Sequence, residues 1–177
     1  MQADDTSTMA ERLNSFAQGL GDCVLTTVVL AVFEPATGLL RYTNAGHPPP
    51  LIVDPDGGAS YFEDVPAPPM GVMETPPYKQ HTLRLERGST LLLYTDGLVE
   101  RATEVLDVGL DRLRGAAVAA AAGADVEALC ERVLGDLVGA EAAHDDDVTM
   151  IALHALQARV FAEDAQDPVV LSTPLGG

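Results

Sequence analysis

The sequence predicts an α+β fold. Apolar, β-branched segments cluster before residue 100, and alanine- and leucine-rich segments without proline fill most of the remainder. The two kinds do not alternate as βα units would. Hydrophobic residues are 47% of the 177, a globular composition. The length fits one domain plus tails. A chain of this size buries about two-thirds of its unfolded surface and needs no disulfides to form a core.

Residues 6–20 read as a helix, because Met9, Leu13, Phe16 and Leu20 recur at spacings of four, three and four. Gly19 and Gly21 supply stop signals. The run from Cys23 to Phe33 is apolar almost throughout and β-branched, so it reads as a buried strand. Glu34 to Gly38 turns the chain, and Leu39 to Ala45 returns as the hairpin partner. Gly46-His47-Pro48-Pro49-Pro50 is a loop, since proline cannot donate to a sheet ladder. Leu51-Ile52-Val53 resumes a strand, residues 54–58 turn it, and Tyr61-Phe62 suggests another. Residues 66–77 hold five prolines and read as loop. Tyr78 to Leu85 alternates loosely, and Ser89 to Tyr94 reads as a second strand apolar on both faces. Residues 108–122 and 125–139 read as two helices broken at Gly123, with Asp125 able to cap the second. Val126, Leu129, Cys130, Val133 and Leu137 form the apolar stripe of that second helix. A last strand runs from Val148 to His154, and a proline- and acid-containing tail, 156–177, reads as flexible.

Charge narrows the function classes. There are 27 acidic and 10 basic residues, a net charge of −17. Nucleic acid and anionic membranes require a basic face, so both are disfavoured partners. Cys23 and Cys130 form no CxxC pair, which removes a thiolate zinc site. The acidic start at Met1-Gln2-Ala3-Asp4-Asp5 is unlike a signal peptide, and no apolar run approaches the ~18 residues of a membrane span. These features predict a cytoplasmic protein.

Two acidic spots stand out by position. In Tyr94-Thr95-Asp96-Gly97 an aspartate ends a buried strand beside a glycine that frees the turn. A carboxylate fixed at a sheet rim is what a hard cation such as Mg²⁺ or Mn²⁺ requires. In His144-Asp145-Asp146-Asp147-Val148-Thr149 three acids precede the last strand. They repel one another unless solvent or a divalent cation intervenes. Taken singly, the first is equally a turn and the second equally a solvated face.

Four motifs occur in order: Asn44-Ala45-Gly46-His47-Pro48-Pro49-Pro50, Pro69-Met70-Gly71-Val72, Leu92-Leu93-Tyr94-Thr95-Asp96-Gly97-Leu98-Val99-Glu100, and Asp146-Asp147-Val148-Thr149. Together they resemble the metal-dependent serine/threonine phosphatases of the PP2C (PPM) superfamily, bacterial RsbU/SpoIIE-like branch. The resemblance runs from about residue 6 to 155. It implies an α/β/β/α sandwich of antiparallel sheets flanked by helices. It implies a binuclear Mn²⁺ or Mg²⁺ centre with Asp96 and Asp146 as ligands and catalytic residues, and Asp147 holding a metal-bound water or a neighbouring ligand. Water activated by the metals then attacks the phosphorus of phosphoserine or phosphothreonine without a covalent enzyme intermediate. The implied substrate is a phosphorylated regulatory protein of the anti-sigma-factor antagonist type.

His47, between a glycine and three prolines, reads as a loop brace rather than a general acid. Arg101 reads equally as a phosphate contact or as a partner of Glu104. His81, His144 and His154 have no site-like spacing. One departure from the family pattern matters. The Gly-Asp-x-x-Gly-Gly-Asp-like and Asp-x-x-Gly-His-Gly motifs, the first supplying the aspartate that bridges the two metals, do not occur in these residues. The expectation is therefore an N-terminally truncated, partial phosphatase domain over residues 1–155, with open sheet edges that favour homo-oligomers. The alternative is a non-catalytic pseudophosphatase, an interaction module of partner-switching regulation.

Overall fold

The computed structural model describes residues 5–19, 25–62, 67–101, 104–121, 125–138 and 147–156. The element order is α1 (Thr6–Gly19), β1 (Val28–Glu34), β2 (Leu39–Ala45), β3 (Leu51–Val53), β4 (Ala59–Tyr61), β5 (His81–Arg84), β6 (Thr90–Tyr94), α2 (Leu106–Ala121), α3 (Val126–Leu137) and β7 (Met150–His154). A single 3₁₀ turn, Asp96–Leu98, comes after β6. The strands form two antiparallel sheets, β1-β2-β5 and β4-β3-β6-β7. α1 lies on β1 and β2, α2 on β3 and β4, and α3 on β7. The result is the expected α/β/β/α sandwich. No described helix is long and apolar enough to cross a membrane.

The period-2 alternation of β6 builds both sides of its sheet. Leu92 and Tyr94 join Leu51 and Val53 against Leu113, Ala117, Leu129, Val133 and Leu137 of the two helices. Leu91 and Leu93 face the other way, with Ile52, toward Leu40, Tyr42 and Phe62 between the sheets. A strand apolar on both faces is thus a central strand, as the sequence predicts. Asp125 caps α3 by accepting from the Ala128 N–H at 2.9 Å. Leu129, Val133 and Leu137 of its apolar stripe are buried, and Cys130 is half-buried.

Two expectations are corrected. The Cys23–Phe33 run reads as a buried strand, but β1 begins at Val28, forms a sheet edge and is only half-buried. Periodicity cannot tell a central strand from an apolar edge strand. The second correction concerns α1. Its Met9-Leu13-Phe16 stripe is exposed, and Thr6, Ala10 and Asn14 are the buried residues. Leu20 lies outside the described residues. Hydrogen bonds set this orientation. Thr6 Oγ1 and Thr43 Oγ1 are 2.8 Å apart. Asn14 Oδ1 accepts from the Gly71 N–H at 2.9 Å, and its Nδ2 donates to the Met73 carbonyl at 2.9 Å. Ala10, small and fully buried, lets the helix approach the sheet closely. Turning the apolar stripe inward would break these hydrogen bonds.

α2 approaches the Asp96 turn at Gly109, where a Cβ would lie 1.8 Å from the Val99 carbonyl oxygen. Gly115 on the same helix faces open space. Gly109→Ala is therefore expected to destabilise the fold by about 1–3 kcal/mol through overpacking. Gly115→Ala should stabilise it by roughly 0.5–1 kcal/mol through helix propensity. Urea denaturation of both variants checks the contrast, and equal effects would contradict the packing described.

Candidate metal centre

β6 ends at Tyr94, and the chain must then leave a sheet buried on both faces. Thr95 does so in extended conformation, and Asp96 opens the 3₁₀ turn. The Asp96 carbonyl accepts from the Val99 N–H at 2.8 Å and the Glu100 N–H at 2.7 Å. Its side-chain Oδ1 accepts from the Gly97 N–H at 2.9 Å. The carboxylate is therefore fixed at the sheet rim, half-buried, with one oxygen satisfied by backbone.

Thr95 ties this turn to the segment entering β7. Its Oγ1 donates to the Asp147 carbonyl at 2.9 Å and accepts from the Thr149 N–H at 2.9 Å. Its own N–H donates to the Thr149 carbonyl at 3.0 Å. Asp96 and Asp147, distant in sequence, thus belong to adjoining segments. Asp146 lies outside the described residues, as do Asp145 and His144. The role of Thr95 is not evident from its motif. The available cue is a β-branched hydroxyl placed immediately after a buried strand.

The His47 loop packs behind the same strand. Tyr94 donates its hydroxyl to the Pro49 carbonyl at 2.7 Å, and the His47 ring meets Tyr94 edge-on with centroids 6.5 Å apart. Burial raises the Tyr94 phenol well above its ordinary pKa, with Tyr61 nearby adding to the shift. Tyr61, donating to the Leu110 carbonyl at 2.6 Å, is pushed up to about 12, chiefly by burial. Both phenols thus stay protonated as donors. Asn44 holds the loop from both sides, accepting from the His47 N–H at 2.8 Å and donating to its carbonyl at 2.9 Å. His47 Nδ1 lies 2.8 Å from the Pro48 carbonyl. A carbonyl only accepts, so Nδ1 is the donor, in the bracing role the sequence suggests. Gly46 has φ +73°, and a Cβ there would lie 2.5 Å from Pro69. The second motif, around Pro69-Met70-Gly71, is thereby packed against the first.

Arg101 Nη1 lies 3.9 Å from Glu104, which Arg112 also binds. Of its two readings, the Glu104 pair is present only at the outer limit of ion-pair distance. His81 stacks on Tyr42 and His154 bonds to Thr90, both away from Asp96 in the sheets. Among the described residues no group of three His, Cys, Asp or Glu side chains gathers as a metal cage. What they offer a cation is one fixed carboxylate, Asp96, beside the acidic segment at Asp147. Carboxylate oxygen fits Mg²⁺ or Mn²⁺ in kind.

Proteins of similar sequence and fold are known. The family model of Stage II sporulation protein E (SpoIIE) matches residues 1–156. Phosphoserine phosphatase RsbP of Bacillus subtilis (strain 168) is 34% identical over 74 residues, 42% of this chain and 18% of RsbP. Protein IcfG of Synechocystis sp. is 27% identical over 131 residues, 72% of this chain and 20% of IcfG. The crystal structure of the RsbU and RsbW domains of a Mycobacterium tuberculosis protein matches with TM-score 0.75 and 28% identity, over 88% of this chain and 44% of that one. The SpoIIE phosphatase domain of Bacillus subtilis, presoaked with Mn, shares the fold at 14% identity and TM-score 0.59, covering 99% of this chain and 74% of that one. The chain thus spans 18% and 20% of the two sequence relatives.

Two substitutions test the geometry. Thr95→Val keeps the shape but removes two hydrogen bonds to exposed backbone groups, so it should cost about 1 kcal/mol. Thr95→Ser keeps the hydroxyl and should recover most of that in thermal unfolding. His47→Asn should lower the melting temperature without changing Mn²⁺ affinity measured by calorimetry. A fall in affinity at unchanged stability would make His47 part of the metal site.

Proposed function

The chain belongs to the SpoIIE family, and from that membership we propose that residues 1–155 form part of a metal-dependent protein serine/threonine phosphatase domain. The observation that carries this is the Thr95 clamp, which holds the Asp96 turn beside Asp147 and Thr149 at the entrance to β7. Asp96 and Asp146 would hold a divalent cation, Mn²⁺ or Mg²⁺, and act as the catalytic residues. Asp147 would hold a neighbouring ligand or water. When bound, the cation supplies charge neutralisation for phosphoryl oxygens and acidifies a water.

The chain's own residues do the rest. The backbone bond from Gly97 keeps the Asp96 carboxylate aimed, so little side-chain entropy is lost on ligation. Thr95 fixes the spacing between the two acidic segments. Tyr94, His47 and Asn44 keep the proline loop rigid behind them. The substrate we propose is a phosphoserine- or phosphothreonine-bearing regulatory protein of the anti-sigma-factor antagonist type. RsbP, a phosphoserine phosphatase, and the RsbU and RsbW domains of the mycobacterial relative support that class.

A second reading is favoured by one observation. The family motif that supplies a bridging aspartate does not occur in these 177 residues. A domain that recognises a phosphorylated regulator without hydrolysing it fits that deficit. Hydrolysis of p-nitrophenyl phosphate in Mn²⁺ separates the two, and little turnover is expected of the 177 residues by themselves.

Asp96→Asn and Asp146→Asn each preserve shape and remove one negative charge. Each should weaken Mn²⁺ binding at least about tenfold, ~1.4 kcal/mol. Asp145→Asn should matter far less. Calorimetric titration with unchanged affinity in both of the first two variants would refute the ligand assignment.

A further inference from the structure

A cleft lies at the end of the sandwich opposite Asp96. β6 and β7 run antiparallel, so Asp96 and Asp147 mark one end of the pair and Ala155 marks the other. Backbone bonds fix that far end. The Gly88 N–H donates to the Ala155 carbonyl and the Ala155 N–H to the Ser89 carbonyl, both at 2.9 Å. With the β1–β2 turn and the segment after β5, they enclose a cavity of about 300 Å³. Half-buried Phe33 and buried Leu85 and Ala155 supply the apolar part of its lining, and exposed Arg84 and Arg87 the charged part.

The two arginines need explaining. Arg112 and Arg114 pair with Glu104 and Asp111. Arg84 and Arg87 pair with no carboxylate among the described residues, although the chain carries 27 acids. Glu86 is the one acid of the lining, so two arginines leave the cleft positive in a chain of −17. Its chemistry fits an acidic segment led by an apolar side chain, and the chain carries such a segment beside it. Leu156, 78% exposed, lines the cleft and is the last described residue. Residues 157–177 lie outside the described residues, and in their sequence Val160-Phe161 comes just before Glu163-Asp164. Phe161 is five residues past Leu156, a reach of up to about 17 Å, which exceeds the width of such a cavity. A tethered segment competes at an effective concentration on the order of millimolar, which a free acidic peptide must match.

We propose that this cleft docks the chain's own segment 157–164, with Val160 and Phe161 against Phe33 and Leu85, and Glu163 and Asp164 facing Arg84 and Arg87. Docking there caps the far end of both sheets and leaves the Asp96 turn open. Exposed ion pairs are screened by salt and the apolar contact is not, so NaCl should weaken docking in part.

Amide hydrogen exchange on the full 177-residue chain reads this directly. Amides of 158–164 should exchange at least about tenfold more slowly than unstructured peptide, at every protein concentration. Arg84→Glu combined with Arg87→Glu should remove that protection, with far-UV circular dichroism unchanged because both side chains are exposed. Adding Glu163→Arg and Asp164→Arg to that variant reverses the charges on both sides and should restore it. Phe161→Ser should abolish protection with both arginines in place. A segment that exchanges at the unstructured rate in the unsubstituted chain would overturn the proposal. So would protection that survives either the arginine or the phenylalanine variant. Protection that appears only as protein concentration rises would also overturn it, by assigning the cleft to the segment of a second copy.

Discussion

The fold and the candidate site both depend on β6 being buried on its two faces. Leu92 and Tyr94 are committed to the helical layer, and Leu91 and Leu93 to the space between the sheets. A strand fixed from both sides cannot shift by one residue without exchanging its two cores. The position of Asp96, two residues past its end, is fixed by the same constraint. The acidic turn is rigid because the strand before it has no alternative register.

That rigidity propagates through polar contacts more than through further apolar packing. The Thr95 hydroxyl joins the β6 exit to the β7 entrance. The Tyr94 hydroxyl joins β6 to the proline loop, and Asn44 holds that loop's backbone. The Thr95 and Tyr94 bonds join segments distant in the chain, and each contributes about 0.5–1.5 kcal/mol. α1 obeys the same logic. Its buried face carries Thr6 and Asn14, which bond to Thr43 and to the backbone at Gly71 and Met73. The apolar face is left outward as a consequence.

Local chemistry wrote much of this protein into its sequence. The hairpin from Val28 to Ala45, the doubly apolar β6, the Asp125 cap and the alanine- and leucine-rich helices α2 and α3 arise from periodicity, turn residues and capping. The ordered motifs around His47, Pro69, Asp96 and Asp147 are legible as residues that belong together, and so is the brace formed by His47. Tertiary structure decided what depends on partners distant in the chain. Whether an apolar strand is central or at an edge depends on what lies beside it, so β1 reads as buried and stands at an edge. Which side of α1 faces the sheet depends on two hydrogen-bonding side chains and the loop at 71–73, which no helical period encodes. The joining of Asp96 to Asp147 rests on the pairing of β6 with β7, which the Thr95 backbone and hydroxyl bonds extend beyond the strand ends. A local sequence pattern ranks residues by their own propensities, and it carries no term for the partner that only folding brings within about 3 Å.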